Sequence, residues 1–212
     1  MASPAPDAPE LYPLFLKLAG RRVLVVGGGN VANAKLEALI GAGASITVVA
    51  PRILAEVASR PVRCIQRAFR PSDLAGVWYV VAAATPEANQ RVAFEASKRR
   101  LFVNAVDDPK RASAYLGGVV RKGGVTLAIS TAGRVAALAG MLREAFEALL
   151  PDEIESWVMA GQSARATWQA QGVPHDERRP RLLSVLNALY GDRESVEAGR
   201  YRGVKANKNK SL

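Results

Sequence analysis

The run Arg22-Val23-Leu24-Val25-Val26-Gly27-Gly28-Gly29-Asn30-Val31-Ala32 constrains the chain more than any other stretch. A short β-branched strand stops at three consecutive glycines, and a helix with apolar spacing begins at once. Gly27, Gly29 and Ala32 fit the pattern G-x-G-x-x-A. Gly27 permits a tight turn, and Gly29 leaves room for a pyrophosphate to approach the backbone. Ala32 lets helix and strand pack closely, while the free N–H groups of the helix start face the phosphates. The helix closes at Gly41 and Gly43, and Ser45-Ile46-Thr47-Val48-Val49-Ala50-Pro51 forms a second strand. This is a β-α-β unit of the kind that binds a nicotinamide dinucleotide.

The alternation continues. Residues 62–66 suit a strand, 72–75 a turn or short helix, 77–84 an apolar strand carrying Trp78 into the core, 86–99 an amphipathic helix and 101–106 another strand. Residues 115–130 read as a hairpin turning at Lys122-Gly123-Gly124. Helical segments follow at 137–150, 152–170 and 178–190. The expected fold class is α/β: a Rossmann-type parallel sheet domain, then a small β-hairpin connector and an all-helical C-terminal region. The corresponding segments are a disordered lead-in over 1–10, a dinucleotide domain over 11–112 and a hairpin with a long helix over 113–150. A helical region over 151–198 and a basic disordered tail over 199–212 complete the chain.

Charge narrows the choice of ligand. The formal net charge is +10, and such a surface attracts anions. Nucleic acid, a membrane surface and a polycarboxylate substrate all qualify at first. No helix-turn-helix with a recognition helix is visible and the basic residues are not interleaved with aromatics, so nucleic acid is not expected. No apolar run approaches the roughly 18 residues of a membrane span, and the first ten residues lack the signature of a signal peptide. The lone cysteine, Cys64, excludes an internal disulfide and suits a reducing, cytoplasmic setting. One histidine, His175, lies in a polar stretch that reads as a surface loop; with a single distant cysteine it builds no metal cage.

Ligands bind outside the carboxyl ends of parallel strands. Asn104, Asp107 and Asp108 stand at such an end, where a carboxylate accepts a proton as a hydride leaves. The same aspartates also suit a plain turn before Pro109. Ser130, Thr131, Ala132 and Gly133 lie between strand and helix, suited either to capping or to contact with an anion. The acidic residue that usually ends the second strand is missing, and Ala50-Pro51-Arg52 stands there instead. Arg52 suits a 2′-phosphate, or a surface beside an adenosine held by backbone contacts. These residues leave NAD and NADP equally open.

With these residues in hand, the chain resembles the precorrin-2 dehydrogenase family, the N-terminal modules of sirohaem synthases. The resemblance rests on LYPLFLKLAGRRVLVVGGGNVANAK, VVAP, VVAAAT followed by Asn89, FVNAVDDPK, and LAISTAGR with ALAGMLREAFEALLP. It implies oxidation of precorrin-2 to sirohydrochlorin with NAD⁺, and in bifunctional members insertion of ferrous iron. The substrate's eight carboxylates suit the basic surface. By position, Asp107 in NAVDDPK matches the family's key aspartate, and Asn30, Val31, Pro51 and Arg52 match cofactor-contacting positions. Ala84 and Thr85, closing VVAAAT, join Gly27, Gly29 and Ala32 in the expected cofactor site. Asn104, Ser130, Thr131 and Gly133 form the expected substrate side. The family also lacks the ribose acid, which favours NAD, and a homodimer is implied.

The chain departs from the family where S-S/T-G-G-x-S-P becomes Ser130-Thr131-Ala132-Gly133-Arg134-Val135-Ala136, and where Ala114 and Gly117 replace the F-x-x-P aromatic and proline. These changes bear on chelation and substrate affinity more than on the dinucleotide. No methyltransferase domain follows, so precorrin-2 is expected from another protein. Two readings compete with this one: a dinucleotide-responsive regulator, and a dehydrogenase of another anionic substrate.

Overall fold

The computed structural model describes residues 10–189. The lead-in through residue 9 and the basic tail lie outside them. The chain divides into two compact units. One runs to Gly117 and takes in Ser130–Ala136; the other holds Gly118–Ile129 and the chain from Ala137 onward.

The first unit is a parallel sheet in three layers. Its strands are β1 (Arg22–Val26), β2 (Ser45–Ala50), β3 (Arg63–Gln66), β4 (Tyr79–Ala82) and β5 (Phe102–Ala105), in the order β3-β2-β1-β4-β5. Side chains alternate across the pleat, so each strand feeds both faces. Val23, Val25, Ile46, Val48 and Val81 meet Ala32, Leu36 and Leu39 of helix α1 (Asn30–Gly41) and Val57 of α2 (Ala55–Ala58). Leu24, Val26, Val49, Val80 and Val103 meet Val92, Ala93 and Ala96 of α3 (Pro86–Ser97), together with Leu74 of the 3₁₀ turn Pro71–Leu74. Burial on both faces explains the near-continuous apolar strand sequences. At the edge, β5 is covered by the segment that follows it. The Ser113 and Ala114 N–H groups donate to the Val103 carbonyl at 2.9 and 3.0 Å. Ser113 Oγ accepts the Val103 N–H at 2.9 Å. An edge strand is thereby shielded from foreign pairing.

Two sequence expectations need correction here. Trp78 is not core: it precedes β4, stands 51% exposed, and stacks under the Arg21 guanidinium, 3.9 Å from the ring centre. Its place at the rim, where the strand has not yet begun, lets the ring satisfy a cation instead of filling the interior. His175 is exposed, but it opens a helix, α6 (175–189), instead of lying in a loop.

In the second unit, β6 (Gly118–Lys122) and β7 (Val125–Ile129) form an antiparallel hairpin, which groups with α4 (Ala136–Leu149, but for its first residue) and α5 (Ile154–Ala170). Lys122 Nζ donates to the Leu150 carbonyl at 2.8 Å and to Asp152 Oδ1 at 2.7 Å. Val120, Ala139 and Ile154 are buried there, while Leu138, Met141, Phe146 and Leu149 of α4 remain exposed. No helix among the described residues is long and apolar enough to cross a membrane.

Candidate active site

The strand order reverses direction between β1 and β4, and a crevice for a ligand opens where such a reversal occurs. The loops at this end are Gly27–Gly29 after β1, Pro51–Leu54 after β2, Ala83–Thr85 after β4 and Val106–Asp108 after β5.

The glycines differ in what they do. Gly27 has φ +126°, and a Cβ there would overlap the Ala83 carbonyl. A Cβ on Gly28 would overlap the Arg52 carbonyl and crowd Ile53. These two glycines draw the β1, β2 and β4 loops together. The contacts are fixed by hydrogen bonds from Gly27 N–H to Val49 O (3.0 Å), Ala83 N–H to Val26 O (2.8 Å) and Leu54 N–H to Gly28 O (2.9 Å). Gly29 is the opposite case: a Cβ added there meets nothing within 4 Å. The space above it is open to a ligand. Gly29 is also the N-cap of α1, and no side chain caps that end. The first-turn N–H groups of Asn30, Val31 and Ala32 are thus left for an anion. Asn30 and Val31 are exposed, whereas Ala32 is fully buried against the sheet. A pyrophosphate fits this cradle by the absence of side chain at Gly29 and the uncapped helix start. The constraint at Gly28, an "x" of the motif, was not legible in the sequence; the proximity of the β2 loop creates it.

Asn89 organises the neighbouring loops and does not appear in the motif. It is buried, its Oδ1 accepts the Ala84 N–H at 2.8 Å, and its Nδ2 donates to the Val106 carbonyl at 3.4 Å. Ala84 and Thr85 are exposed at the crevice, and Thr85 caps α3 by accepting the Ala88 N–H at 3.4 Å. A polar residue within the buried stripe of Val92, Ala93 and Ala96 is the signal by which the sequence could have revealed this role of Asn89.

Asp107 occupies the third place of a tight turn closed by Asp108 N–H on Ala105 O at 3.3 Å. Its φ is +57°, the left-handed region in which a non-glycine residue is strained. It is exposed, and its carboxylate makes no hydrogen bond among the described residues. Asp108 instead pairs with Arg111 at 2.7 Å. Strained residues of this kind cluster at functional sites. Asn104 is buried, and its Nδ2 donates to the Ala114 carbonyl at 3.1 Å.

The Ser130–Gly133 turn lies beside this loop. A Cβ on Gly133 would press on Pro109 and the Tyr115 ring, and Tyr115 donates its hydroxyl proton to the Pro109 carbonyl at 2.9 Å. Ser130 Oγ accepts the Ala132 N–H at 3.1 Å. Thr131 Oγ1 donates to Val135 O at 3.0 Å and accepts the Val135 N–H at 3.3 Å. Both hydroxyls therefore brace the turn ahead of α4. On the solvent side of α3 an open groove of about 640 Å³ is lined by Arg91, Phe94, Lys110 and Arg111, among others. Part of the basic surface is neutralised locally: Arg67 is paired with Asp73, and Lys98 and Arg99 with Glu95.

A doubly wound parallel sheet with an open glycine cradle at its switch point defines a dinucleotide-binding module. The NAD(P)-binding family described as "Putative NAD(P)-binding" matches residues 14–118. "Siroheme synthase 3" of Aeromonas hydrophila is 40% identical over 184 residues, covering 84% of this chain and 39% of the synthase. "Siroheme synthase" of Photorhabdus laumondii is 40% identical over 150 residues, 68% of this chain and 32% of that protein. The solved structure "SirC, precorrin-2 dehydrogenase" superposes with a TM-score of 0.67 at 26% identity, covering 82% of this chain and 89% of that one. The chain belongs to the family of NAD-binding modules that sirohaem synthases share with precorrin-2 dehydrogenase. It spans between about a third and two fifths of the length of these synthases.

Proposed function

We propose that the chain is an NAD-dependent precorrin-2 dehydrogenase that forms sirohydrochlorin in sirohaem biosynthesis. The observation that carries this reading is Asp107: a carboxylate with no partner among the described residues, held in a strained backbone conformation, at the carboxyl end of β5 in a module of this family. NAD⁺ bound at the glycine cradle supplies the hydride acceptor. Gly29 and the N–H groups of Asn30, Val31 and Ala32 hold the pyrophosphate, Pro51 and Arg52 border the adenosine, and Ala84 and Thr85 line the crevice. The substrate loses a hydride from carbon and a proton, and the Asp107 carboxylate takes the proton. Asn104 positions the β5 end by its bond to Ala114, and Ser130, Thr131 and Gly133 hold the loop beside Pro109. Lys110 and Arg91 offer cations to the substrate's carboxylates.

The exposed apolar residues Leu138, Met141, Phe146 and Leu149 of α4 support a homodimer. A single cysteine and nicotinamide chemistry support a cytoplasmic setting.

Anaerobic incubation with precorrin-2 and NAD⁺ tests the activity, with NADH and sirohydrochlorin as the two readouts. Equal amounts of both are expected. Asp107→Asn is the apt variant, because Asn tolerates left-handed φ and removes only the charge. Turnover should fall by roughly 100-fold or more, with NAD⁺ affinity retained. Equal loss of turnover and of NAD⁺ binding would overturn the role of Asp107. A folded, NAD-binding protein that forms neither product would favour a different anionic substrate or a regulatory role. Ferrous iron added to the same cuvette decides whether sirohaem follows.

A further inference from the structure

We propose that Arg52 reads the 2′ position of the adenosine ribose, so that the site accepts the 2′-phosphorylated dinucleotide, NADP⁺, as well as NAD⁺. This rests on the reading of the glycine loop as a dinucleotide cradle. Selectivity at the 2′ position is set at the end of the second strand: a carboxylate there binds the ribose hydroxyls and repels a phosphate, and an arginine does the reverse. Here β2 ends at Ala50, and Pro51 and Arg52 follow.

The position of Arg52 is fixed by backbone contacts. Its carbonyl lies directly against Gly28, where no Cβ fits. Two residues on, the Leu54 N–H donates to the Gly28 carbonyl at 2.9 Å. The residue that borders the ribose is thereby tied to the loop that borders the pyrophosphate. The Arg52 side chain is exposed, and no ion pair or hydrogen bond holds it among the described residues. No carboxylate among the described residues pairs with it. Asp73 is engaged by Arg67 in two bonds, of 2.9 and 2.6 Å, and by the Arg70 N–H at 2.8 Å. Glu56, one turn onward in α2, forms no ion pair with Arg52. A guanidinium that is always charged and presents a planar fork of donors suits a phosphate dianion well.

Calorimetric titration of the full chain with 5′-AMP and with adenosine 2′,5′-bisphosphate tests this without turnover, and NAD⁺ and NADP⁺ titrations run beside it. The bisphosphate should bind about tenfold tighter than 5′-AMP. Arg52→Gln should bring the ratio of the two affinities close to one. Taking the ratio cancels any general loss of adenosine affinity. Arg63→Gln removes the same charge at the opposite end of β3 and should leave the ratio as it was. A ratio at or below one in the parent chain would overturn the proposal, as would a ratio unmoved by Arg52→Gln or lowered equally by Arg63→Gln. If 5′-AMP and NAD⁺ still bind in those cases, the dinucleotide reading survives alone. If no nucleotide binds to the folded protein, both readings fall together.

Discussion

Asn89 accepts the Ala84 N–H at 2.8 Å from inside helix α3, and with its other amide atom holds the Val106 carbonyl. One buried side chain thus ties the loop after β4 to the loop that carries Asp107. Asn89→Ala removes both bonds and leaves two backbone groups without their partner. Folding stability should drop by about 2 kcal/mol in urea denaturation. Dinucleotide affinity should weaken as well, since Ala84 borders the crevice. Unchanged affinity in a destabilised variant would confine Asn89 to a structural role.

The three glycines of the loop should separate by phenotype. Gly27→Ala and Gly28→Ala place a Cβ into backbone carbonyls that cannot retreat, and both should unfold at lower urea than the parent. Gly29 has an ordinary φ of −97° and open space above it. Gly29→Ala should keep parental stability and lose roughly tenfold or more in dinucleotide affinity. Titration and urea melts on the same three proteins check both halves of this expectation.

Ala132 has φ +55° in the turn ahead of α4, the left-handed region that favours glycine. A left-handed L-residue costs about 1–2 kcal/mol, and glycine's extra unfolded-state entropy costs about 0.5–1. Ala132→Gly should therefore stabilise the chain by about 0.5–1 kcal/mol. A destabilised variant would mean that the alanine methyl makes a packing contribution larger than the backbone strain.

The Arg67 guanidinium holds the Asp73 carboxyl below the usual carboxylate range through their hydrogen bonds. A depressed folded-state pKa adds stability above the unfolded value of about 3.9, and that stability is lost as pH falls through the folded value. Asp73→Asn should lower the urea midpoint at pH 7. The gap between variant and parent should shrink steadily below about pH 4. A gap that stayed constant to acid pH would mean that the pair contributes by shape alone.

Much of the first unit was legible because glycine chemistry and apolar period agree there. The strand-glycine-helix passage allows few other structures, and the apolar runs of β1, β2 and β4 are what burial on two faces requires. Trp78 misled because an apolar run does not mark its own first paired residue. The short helix α2 buries only Val57, too little to impose a period on its sequence. Asn89 was quoted within a family stretch, yet nothing in the sequence shows that its amide spans two loops. The sign of φ at Asp107 was equally hidden: an aspartate ahead of Asp-Pro reads as a turn residue whichever hand the backbone takes. Ser130 and Thr131 were read as either capping or ligand-contacting. The structure engages their hydroxyls within the turn, while Gly133 makes the packing contact with Pro109.

The chain leaves the sheet unit after Gly117, returns to it for Ser130–Ala136, and leaves again. A cassette cut at Gly117 would carry the glycine cradle and Asp107 but omit the turn that abuts Pro109. A transfer that keeps this turn against Pro109 is therefore not one uninterrupted stretch: it carries the hairpin as an insertion or rejoins the two segments around it.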